Sequence, residues 1–250
     1  MQRYFVSEDQ LNGSTVTITG DDVKHIARVM RMQEGEEIIV SNNAGTTVLA
    51  KLKKLSESDI QAEVLEELDP KTELPIKVTV AQGLPKGDKL ELITQKGTEL
   101  GVSCFQPFQA SRSIVKWDMK KAKKKVERLE KIAKEAAEQS YREIIPTIKE
   151  AASFTQLLET IESYTHTIVA YEESAKTGEA SNLHNVLNQV KSGDSVLIVI
   201  GPEGGLTEEE VSELEGKGAV LCGLGPRIIR TETAPLYVMA AISYHLELMR

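Results

Sequence analysis

The apolar run Ser195–Ile200 constrains the fold of this chain more than any other sequence feature. Its residues do not alternate between apolar and polar, so the run predicts a strand that is buried on both faces of a sheet. Strand patterns and helix patterns alternate along the chain around it, which is typical of a mostly parallel α/β sheet. The other strands are predicted at residues 76–82, 104–108 and 167–171, and the helices at residues 86–101, 120–141, 183–190 and 235–249.

The first 70 residues follow a different pattern. Short, β-branched or alternating segments are separated by turn residues, and a small barrel is the natural way to close such strands. A linker composition at residues 69–75 marks the end of this part. We therefore predict a β-barrel domain over residues 1–70 and an α/β domain over residues 74–250. The strands of the barrel are predicted at residues 16–19, 37–40, 46–52 and 60–65.

A helix is predicted at residues 21–32, between the first two strands of the barrel, with Met30 on its apolar face. His25, Arg28 and Arg31 follow one another at spacings of three and therefore share one stripe of this helix. A basic stripe on a small barrel favours contact with RNA. A solvated helix edge is the alternative, and the sequence leaves both open.

Two glycine-rich loops follow apolar runs, one at residues 201–205 and one at residues 224–234. Ligands of parallel sheets bind beyond the carboxyl ends of the strands, so the two loops are expected to line one pocket. A phosphate loop needs a lysine and a hydroxyl after the glycines, whereas Glu203 would repel a phosphate. Thr207 and Glu210 have the spacing of a capping box, which would provide hydrogen-bond acceptors for the free backbone N–H groups at the start of the helix that follows the first loop. The first loop therefore indicates a neutral or cationic ligand.

The second loop differs because Arg227 and Arg230 place positive charge beside the same pocket, which suits an anionic partner. A net charge of −8 argues against indiscriminate coating of nucleic acid. Charge is uneven, however, because residues 116–134 hold nine lysines or arginines and three acids. A solvated helix face and a contact with a polyanion are both open for this segment.

Cysteine spacing, histidine spacing and the absence of long apolar runs indicate the cellular compartment of the protein. Cys104 and Cys222 lack C-x-x-C spacing, and the histidines lack metal-ligand spacing, so neither a disulfide framework nor a metal site is predicted. Residues 1–9 lack the pattern of a signal peptide, and no apolar run approaches the roughly 20 residues that span a bilayer. We expect a cytoplasmic protein that contacts no membrane and no DNA.

Five segments in this order resemble the SPOUT class of S-adenosylmethionine-dependent RNA methyltransferases. More closely, the whole chain is similar to the family that methylates ring nitrogen N3 of a uridine in 16S ribosomal RNA. The resemblance implies a PUA-like barrel, a C-terminal α/β domain with a deep trefoil knot, and a homodimer acting on 16S ribosomal RNA or the small ribosomal subunit. The segments are residues 25–31, 95–101, 135–142, 201–205 and 224–234.

The same resemblance assigns residues to the cofactor, S-adenosyl-L-methionine. The cofactor would lie between the ends of two strands, against backbone and apolar groups. The residues expected to bind it are Ile200, Gly201, Gly205, Leu221, Gly223, Leu224, Gly225 and Ile228.

The chemistry of the transfer suggests catalytic residues. The uridine nitrogen is a poor nucleophile until its proton leaves, and negative charge then spreads to the flanking carbonyl oxygens. An arginine near those oxygens would stabilise the charge, which makes Arg230 the first candidate and Arg227 the second. Glu232 or Glu203 is expected to accept or position the proton, and hydrogen bonding to loop amides is the alternative role for both. RNA contacts are expected from Arg3, His25, Arg28, Arg31, Lys86, Lys96, Arg112 and Arg142.

Two other functions compete with an RNA methyltransferase. A non-catalytic RNA-binding ribosome-assembly factor could keep a relict pocket, but the intact glycines and Arg230 speak against it. A nucleotide-dependent enzyme conflicts with Glu203 and the missing lysine. The helix at residues 235–249 is so apolar that core packing and a dimer seam are both open for it.

Overall fold

The computed structural model describes residues 1–173 and 181–249, so the loop predicted after Tyr171 lies partly outside the described residues. The chain forms two compact units. The first contains Met1–Glu73 and Ala137–Ile145, and the second contains Leu74–Ala136 and Pro146–Arg250. The first unit therefore includes a segment that follows it by more than 60 positions in the sequence.

The first unit is built on a six-stranded sheet of order β1-β4-β5-β6-β3-β2. Strand β1 pairs parallel with β4, and the other neighbours pair antiparallel. Alternate residues of the long strands point into an apolar core that includes Val16, Ile18, Ile38 and Leu52. The strands are β1 (Arg3–Phe5), β2 (Leu11–Asn12), β3 (Thr15–Thr19), β4 (Glu37–Ser41), β5 (Thr47–Leu55) and β6 (Asp59–Leu68).

The helix predicted at residues 21–32 forms, but not with regular α-helical geometry. A short α-helix, α1 (Asp21–Lys24), continues as a π-helical segment over His25–Val29. A π-helix has more residues per turn, so the spacing of three that placed Arg31 on a stripe with His25 does not hold. Arg31 lies beyond the helix with φ 53°, and Met30 is exposed instead of buried.

The second unit contains a sheet of seven parallel strands within the described residues, and the predicted α/β class is confirmed. The order is β10-β8-β7-β12-β11-β13, and β9 also pairs with β8. The strands are β7 (Lys77–Gly83), β8 (Cys104–Gln109), β9 (Thr147–Ile148), β10 (Ala152–Ser153), β11 (His166–Ala170), β12 (Ser195–Ile200) and β13 (Val220–Cys222). Strand β12 is buried on both faces and lies between β7 and β11, as its uninterrupted apolar run predicts.

Helices connect these strands. They are α2 (Lys89–Glu99), α3 (Met119–Gln139), α4 (Phe154–Thr160), α5 (Asn182–Leu187), α6 (Glu208–Gly216) and α7 (Ala234–Ser243), which continues as a π-helical segment over Tyr244–Leu248. None of the helices in the described part of the chain combines the length and the apolar character that crossing a bilayer requires.

The strand register determines where a ligand can bind. Ile200 at the end of β12 is level with Gln82 of β7 and with Ala170 of β11, and Ala170 is level with Cys222 of β13. The carboxyl ends of four parallel strands therefore form one edge of the sheet, and both glycine-rich loops leave from this edge.

Candidate functional site

A cavity of about 600 Å³ lies at this edge of the second unit. Its walls come from the ends of β11 and β12 and from two loops, which we name the first glycine loop (residues 201–206) and the second glycine loop (residues 223–233). Lys89 at the start of α2 and Arg112 after β8 also line it. The sheet thus brings the two predicted loops together around one space.

The first glycine loop lies against β7 at a distance that only glycine permits. A Cβ atom on Gly83 would be 2.6 Å from Cδ and 2.7 Å from the nitrogen of Pro202. Within the loop, a Cβ on Gly201 would be 2.9 Å from the carbonyl carbon of Gly205. These glycines fix the path of the loop because any side chain would push it away from the strand.

Hydrogen bonds through Thr231 connect the second glycine loop to the first loop and to β7. The buried Thr231 hydroxyl donates to the Gly201 carbonyl oxygen at 2.6 Å and accepts from Nε2 of Gln82 at 2.9 Å. The chain therefore leaves the sheet at β13 and returns to the centre of the sheet before α7 begins.

A lysine also joins the two loops. Nζ of Lys89 lies 3.0 Å from Oε1 of Glu203 and 3.1 Å from Oε2 of Glu232, one carboxylate from each loop. Oε1 of Glu203 also accepts a hydrogen bond from the Lys86 backbone N–H at 3.0 Å. The Glu203 and Glu232 carboxylates beside it raise the pKa of Lys89.

The two carboxylates respond in the opposite direction. Burial acts to raise the pKa of Glu203, but the hydrogen bond from the Lys86 N–H and the neighbouring Lys89 outweigh it, and the pKa is lowered. Burial acts to raise the pKa of Glu232 as well. Its own backbone N–H, Lys89 and Arg230 outweigh burial, and the pKa of Glu232 is lowered. Both side chains are therefore carboxylates at neutral pH and weak proton acceptors.

The predicted capping box at the start of α6 is confirmed. The Thr207 hydroxyl accepts from the Glu210 N–H at 3.2 Å, and Oε2 of Glu210 accepts from the Thr207 N–H at 2.9 Å. Oε1 of the buried Glu210 accepts from the Ser111 N–H at 2.7 Å. A carboxylate already occupies the positive end of this helix, so a phosphate has no favourable place there.

Most of the residues predicted to bind the cofactor line the cavity, as do the three predicted catalytic residues. Leu221 and Gly223 are the two that do not line it, and Leu221 packs against the apolar core of the second unit. Their roles toward a ligand stay predictions. The residues that line the cavity as expected are Ile200, Gly201, Gly205, Leu224, Gly225, Ile228, Arg227, Arg230 and Glu232.

Sequence reasoning did not identify Lys89 or the end of β11 as part of this site. Ala170, Tyr171, Glu172 and Glu173 line the cavity because β11 ends at the same edge as β12. Lys89 follows shortly after the predicted strand at residues 76–82. Its position could have predicted a place in the site, since every connection that leaves this edge of the sheet can contribute ligand-binding residues.

Two of the predicted RNA-binding residues are buried. Arg142 pairs with Glu73 through two hydrogen bonds, Nε to Oε1 at 2.8 Å and Nη2 to Oε2 at 2.5 Å. Arg3 is also buried and donates from Nη1 to the Arg142 carbonyl oxygen at 2.5 Å. The expected position of Arg142 on the α/β domain is wrong, because residues 137–145 belong to the first unit. Both arginines are engaged inside that unit, and their burial leaves little surface for direct contact with RNA.

The other candidates in the first unit are more accessible. Arg28 and Arg31 are exposed. His25 is half-buried, and its Nδ1 lies 3.1 Å from the hydroxyl of Tyr4.

The candidates in the second unit have several environments. Lys86 is exposed, whereas Lys96 pairs with Glu99 at 2.8 Å. Nη1 of Arg112 donates to the carbonyl oxygens of Gly204 and Leu206, both at 3.2 Å, so this arginine supports the first glycine loop.

Helix α3 carries exposed positive charge along residues 121–131. Arg128 pairs with Glu91 of α2, at 2.5 Å from Nε to Oε1. Lys123, Lys124 and Lys125 are exposed on the same helix.

Comparison with known proteins places this site in a family. Residues 72–243 match the model of an RNA methyltransferase domain, and residues 18–65 match that of an RNA methyltransferase PUA domain. Ribosomal RNA small subunit methyltransferase E of Bacillus subtilis is 53% identical over 253 residues, with 100% of this chain and 99% of that protein covered.

Solved structures agree with this assignment. The same-named enzyme of Neisseria gonorrhoeae, bound to S-adenosyl methionine, is 30% identical with a TM-score of 0.83, covering 97% of each chain. A structure from Legionella pneumophila in complex with the cofactor SAM is 26% identical with a TM-score of 0.83, covering 96% of each chain. A PUA-like unit and a methyltransferase unit with the cavity just described are therefore the parts of one enzyme, and the chain belongs to the ribosomal RNA small subunit methyltransferase E family.

Proposed function

We propose that this enzyme transfers a methyl group from S-adenosyl-L-methionine to ring nitrogen N3 of a specific uridine in 16S ribosomal RNA. The observation that carries the proposal is the cavity between the two glycine loops, with Arg227 and Arg230 on its wall. Family membership supports a ribosomal RNA substrate. We propose N3 of the uridine as the methyl acceptor and S-adenosyl-L-methionine as the methyl donor.

The lining of the cavity fits the cofactor. Ile200, Leu224 and Ile228 offer apolar surface to an adenine ring, and the loop glycines leave backbone groups accessible. Glu203 and Glu232 are ionised, which suits a ligand that carries a positive sulfur and disfavours a nucleotide phosphate. Two related structures hold S-adenosylmethionine. When bound, the cofactor supplies an electrophilic methyl group.

The residues of this chain prepare the uridine. We assign to Arg230 the stabilisation of the negative charge that reaches the base carbonyl oxygens once N3 loses its proton, and to Arg227 a supporting part. Both arginines are exposed at the cavity, where a base could reach them. For Glu232 the lowered pKa favours positioning over proton acceptance, because it pairs with Lys89.

The knot is a further part of the proposal. Support comes from the course of the second glycine loop, which leaves the edge strand β13 and returns to β7 and the first loop through Thr231 before α7 begins. A trefoil requires the end of the chain to thread through a loop formed by earlier residues. A crystal structure with a continuous trace through residues 195–249 would test it.

We propose that RNA binds basic groups of both units, of which Arg28, Arg31, Lys86 and Arg112 are exposed and His25 and Lys96 are half-buried. His25, Arg28 and Arg31 serve the first unit, and Lys86, Lys96 and Arg112 serve the second. The basic face of α3 joins them, because phosphate contacts depend on accessible positive charge more than on the net charge of the chain. Arg3 and Arg142 are excluded because they are buried.

A homodimer is proposed on the apolar surface of the last helix. Val238, Met239 and Ile242 of α7 pack inside the unit, whereas Tyr237 is 41% exposed and Tyr244 is 56% exposed. An exposed aromatic surface of this kind is typical of a subunit interface. Sedimentation equilibrium would report the mass of a dimer, and a monomer at micromolar concentration would contradict the proposal.

Mass spectrometry of ribosomal RNA from cells with and without the protein tests the reaction. Loss of a single N3-methyluridine is expected, and an unchanged methylation pattern would leave the non-catalytic assembly factor as the better explanation. In a single-turnover assay, Arg230→Ala should lose about a hundredfold or more in rate, as removal of one charge-stabilising group does elsewhere. Lys217→Ala is the control, since Lys217 forms an exposed pair with Glu162 outside the cavity.

A further inference from the structure

Three charged side chains from three separate segments meet at the cavity. Lys89 begins α2, Glu203 belongs to the first glycine loop and Glu232 to the second. The ammonium group of Lys89 lies 3.0 Å from one carboxylate and 3.1 Å from the other. These side chains are 29%, 30% and 15% exposed, so water screens them less than it screens an ordinary surface pair.

We propose that Lys89 is a positioning residue that holds the second glycine loop against the first, so that Arg230 is presented to the base. The inference rests on the proposed function for the part of Arg230, which precedes Glu232 by two residues. Lys89 itself touches neither base nor methyl group in this role.

The geometry explains why the second loop depends on this lysine. Glu203 has a further anchor, because its Oε1 also accepts from the Lys86 backbone N–H at 3.0 Å. Without the ammonium group, two carboxylates that both face its position would repel each other. The anchored Glu203 would stay, and the Glu232 side chain would turn away. Thr231 keeps its hydrogen bonds to Gly201 and Gln82, so the displacement falls on the side chains of Glu232 and Arg230 that flank it.

The directions of the pKa shifts agree with attraction between Lys89 and the two glutamates. The two neighbouring carboxylates raise the pKa of Lys89, and the pKa values of Glu203 and Glu232 are lowered against the effect of burial. Ordinary helix pairing does not explain Lys89, since its two partners lie more than 100 positions away in the sequence. Lys96 and Glu99 show the contrast, because they form a local pair three residues apart on α2.

The test compares three variants of the full chain: Lys89→Met, Lys89→Arg and the double variant Lys89→Met/Glu232→Gln. The single-turnover methylation rate on small-subunit RNA and the calorimetric Kd for S-adenosylmethionine are measured for each. Lys53→Met is the matched control, since Lys53 pairs with Glu63 on the surface of the first unit, where both side chains are at least half exposed.

We expect Lys89→Met to lose about tenfold in rate and to bind the cofactor more weakly, which corresponds to ~1.4 kcal/mol. Lys89→Arg keeps the positive charge and should remain within about threefold of the wild type, a loss of well under 1 kcal/mol. The double variant removes the repulsion, so its rate and Kd should recover most of the loss.

Two results would overturn the inference. One is an unchanged rate and Kd in Lys89→Met. The other is a double variant no better than Lys89→Met, since neutralising Glu232 cannot help if Lys89 acts elsewhere. If the wild type does not methylate RNA at all, the proposed function fails, and the Kd series still decides whether the lysine orders the loop.

Discussion

Replacing Gly83 by alanine tests whether close approach of the first glycine loop to β7 shapes the cavity. The new Cβ would lie 2.6 Å from Cδ of Pro202, whereas ordinary contacts begin at 3.4 Å. The loop would have to retreat by about 0.8 Å, the difference between these distances. Pro202 cannot rotate away because Cδ belongs to a ring closed on the backbone nitrogen.

Overpacking of this kind costs about 1–3 kcal/mol. We expect Gly83→Ala to lower the free energy of unfolding by about 2 kcal/mol and to weaken cofactor binding by about tenfold, because Gly201 moves with Pro202. Urea unfolding measures the first effect, and calorimetric titration with S-adenosylmethionine measures the second. The lower stability and the weaker cofactor binding are both expected from displacement of the same loop.

Gly216→Ala is the matched control. Gly216 is the last residue of α6, its φ is not positive, and a Cβ there meets no atom within 4 Å. Alanine should stabilise this position by up to ~1 kcal/mol through its helix propensity. If Gly83→Ala and Gly216→Ala bind the cofactor equally well and unfold at the same urea concentration, the close approach does not matter and the reasoning is refuted.

Three other substitutions probe single contacts of the structure. Thr231→Val removes the hydroxyl between the two loops and should cost about 1–3 kcal/mol in unfolding free energy, measured in urea, whereas the exposed Thr233→Val should change little. Arg142→Met leaves Glu73 without its bidentate partner and should destabilise the first unit by about 3 kcal/mol, and a melting temperature equal to that of the wild type would contradict the buried pair. Glu210→Ala removes a helix cap and the acceptor of the Ser111 N–H, so a loss of about 1–2 kcal/mol by thermal unfolding is expected, against almost none for Glu213→Ala on the same helix.

Local sequence patterns predicted much of the second unit. The predicted bounds of β12 equal the observed Ser195–Ile200, because a strand between two others must be apolar on both faces. The capping box of α6 was predicted from Thr207 and Glu210 because its hydrogen bonds are local. The convergence of the two glycine loops followed from the rule that parallel strands end at one edge.

Other features depend on distant contacts and could not be predicted in this way. Apolar periodicity does not encode strand order, so nothing local shows that β12 lies between β7 and β11. The π-helical geometry at His25–Val29 changes which residues share a face, and the helical spacing of Arg31 was misleading for this reason. Burial of Arg142 depends on Glu73, which lies 69 positions earlier in the sequence.

The segment 137–145 makes the first unit discontinuous in sequence, and this limits how the enzyme can be divided or recombined. A fragment that ends at residue 73 would lose the Arg142 side chain that Glu73 binds, the Glu143 carbonyl that Ser41 binds and the Ile145 amide that Asn43 binds. A single cut in the gene therefore cannot transplant this RNA-binding unit intact. Recombination at the linker would likewise separate the six-stranded sheet from a piece of its own unit.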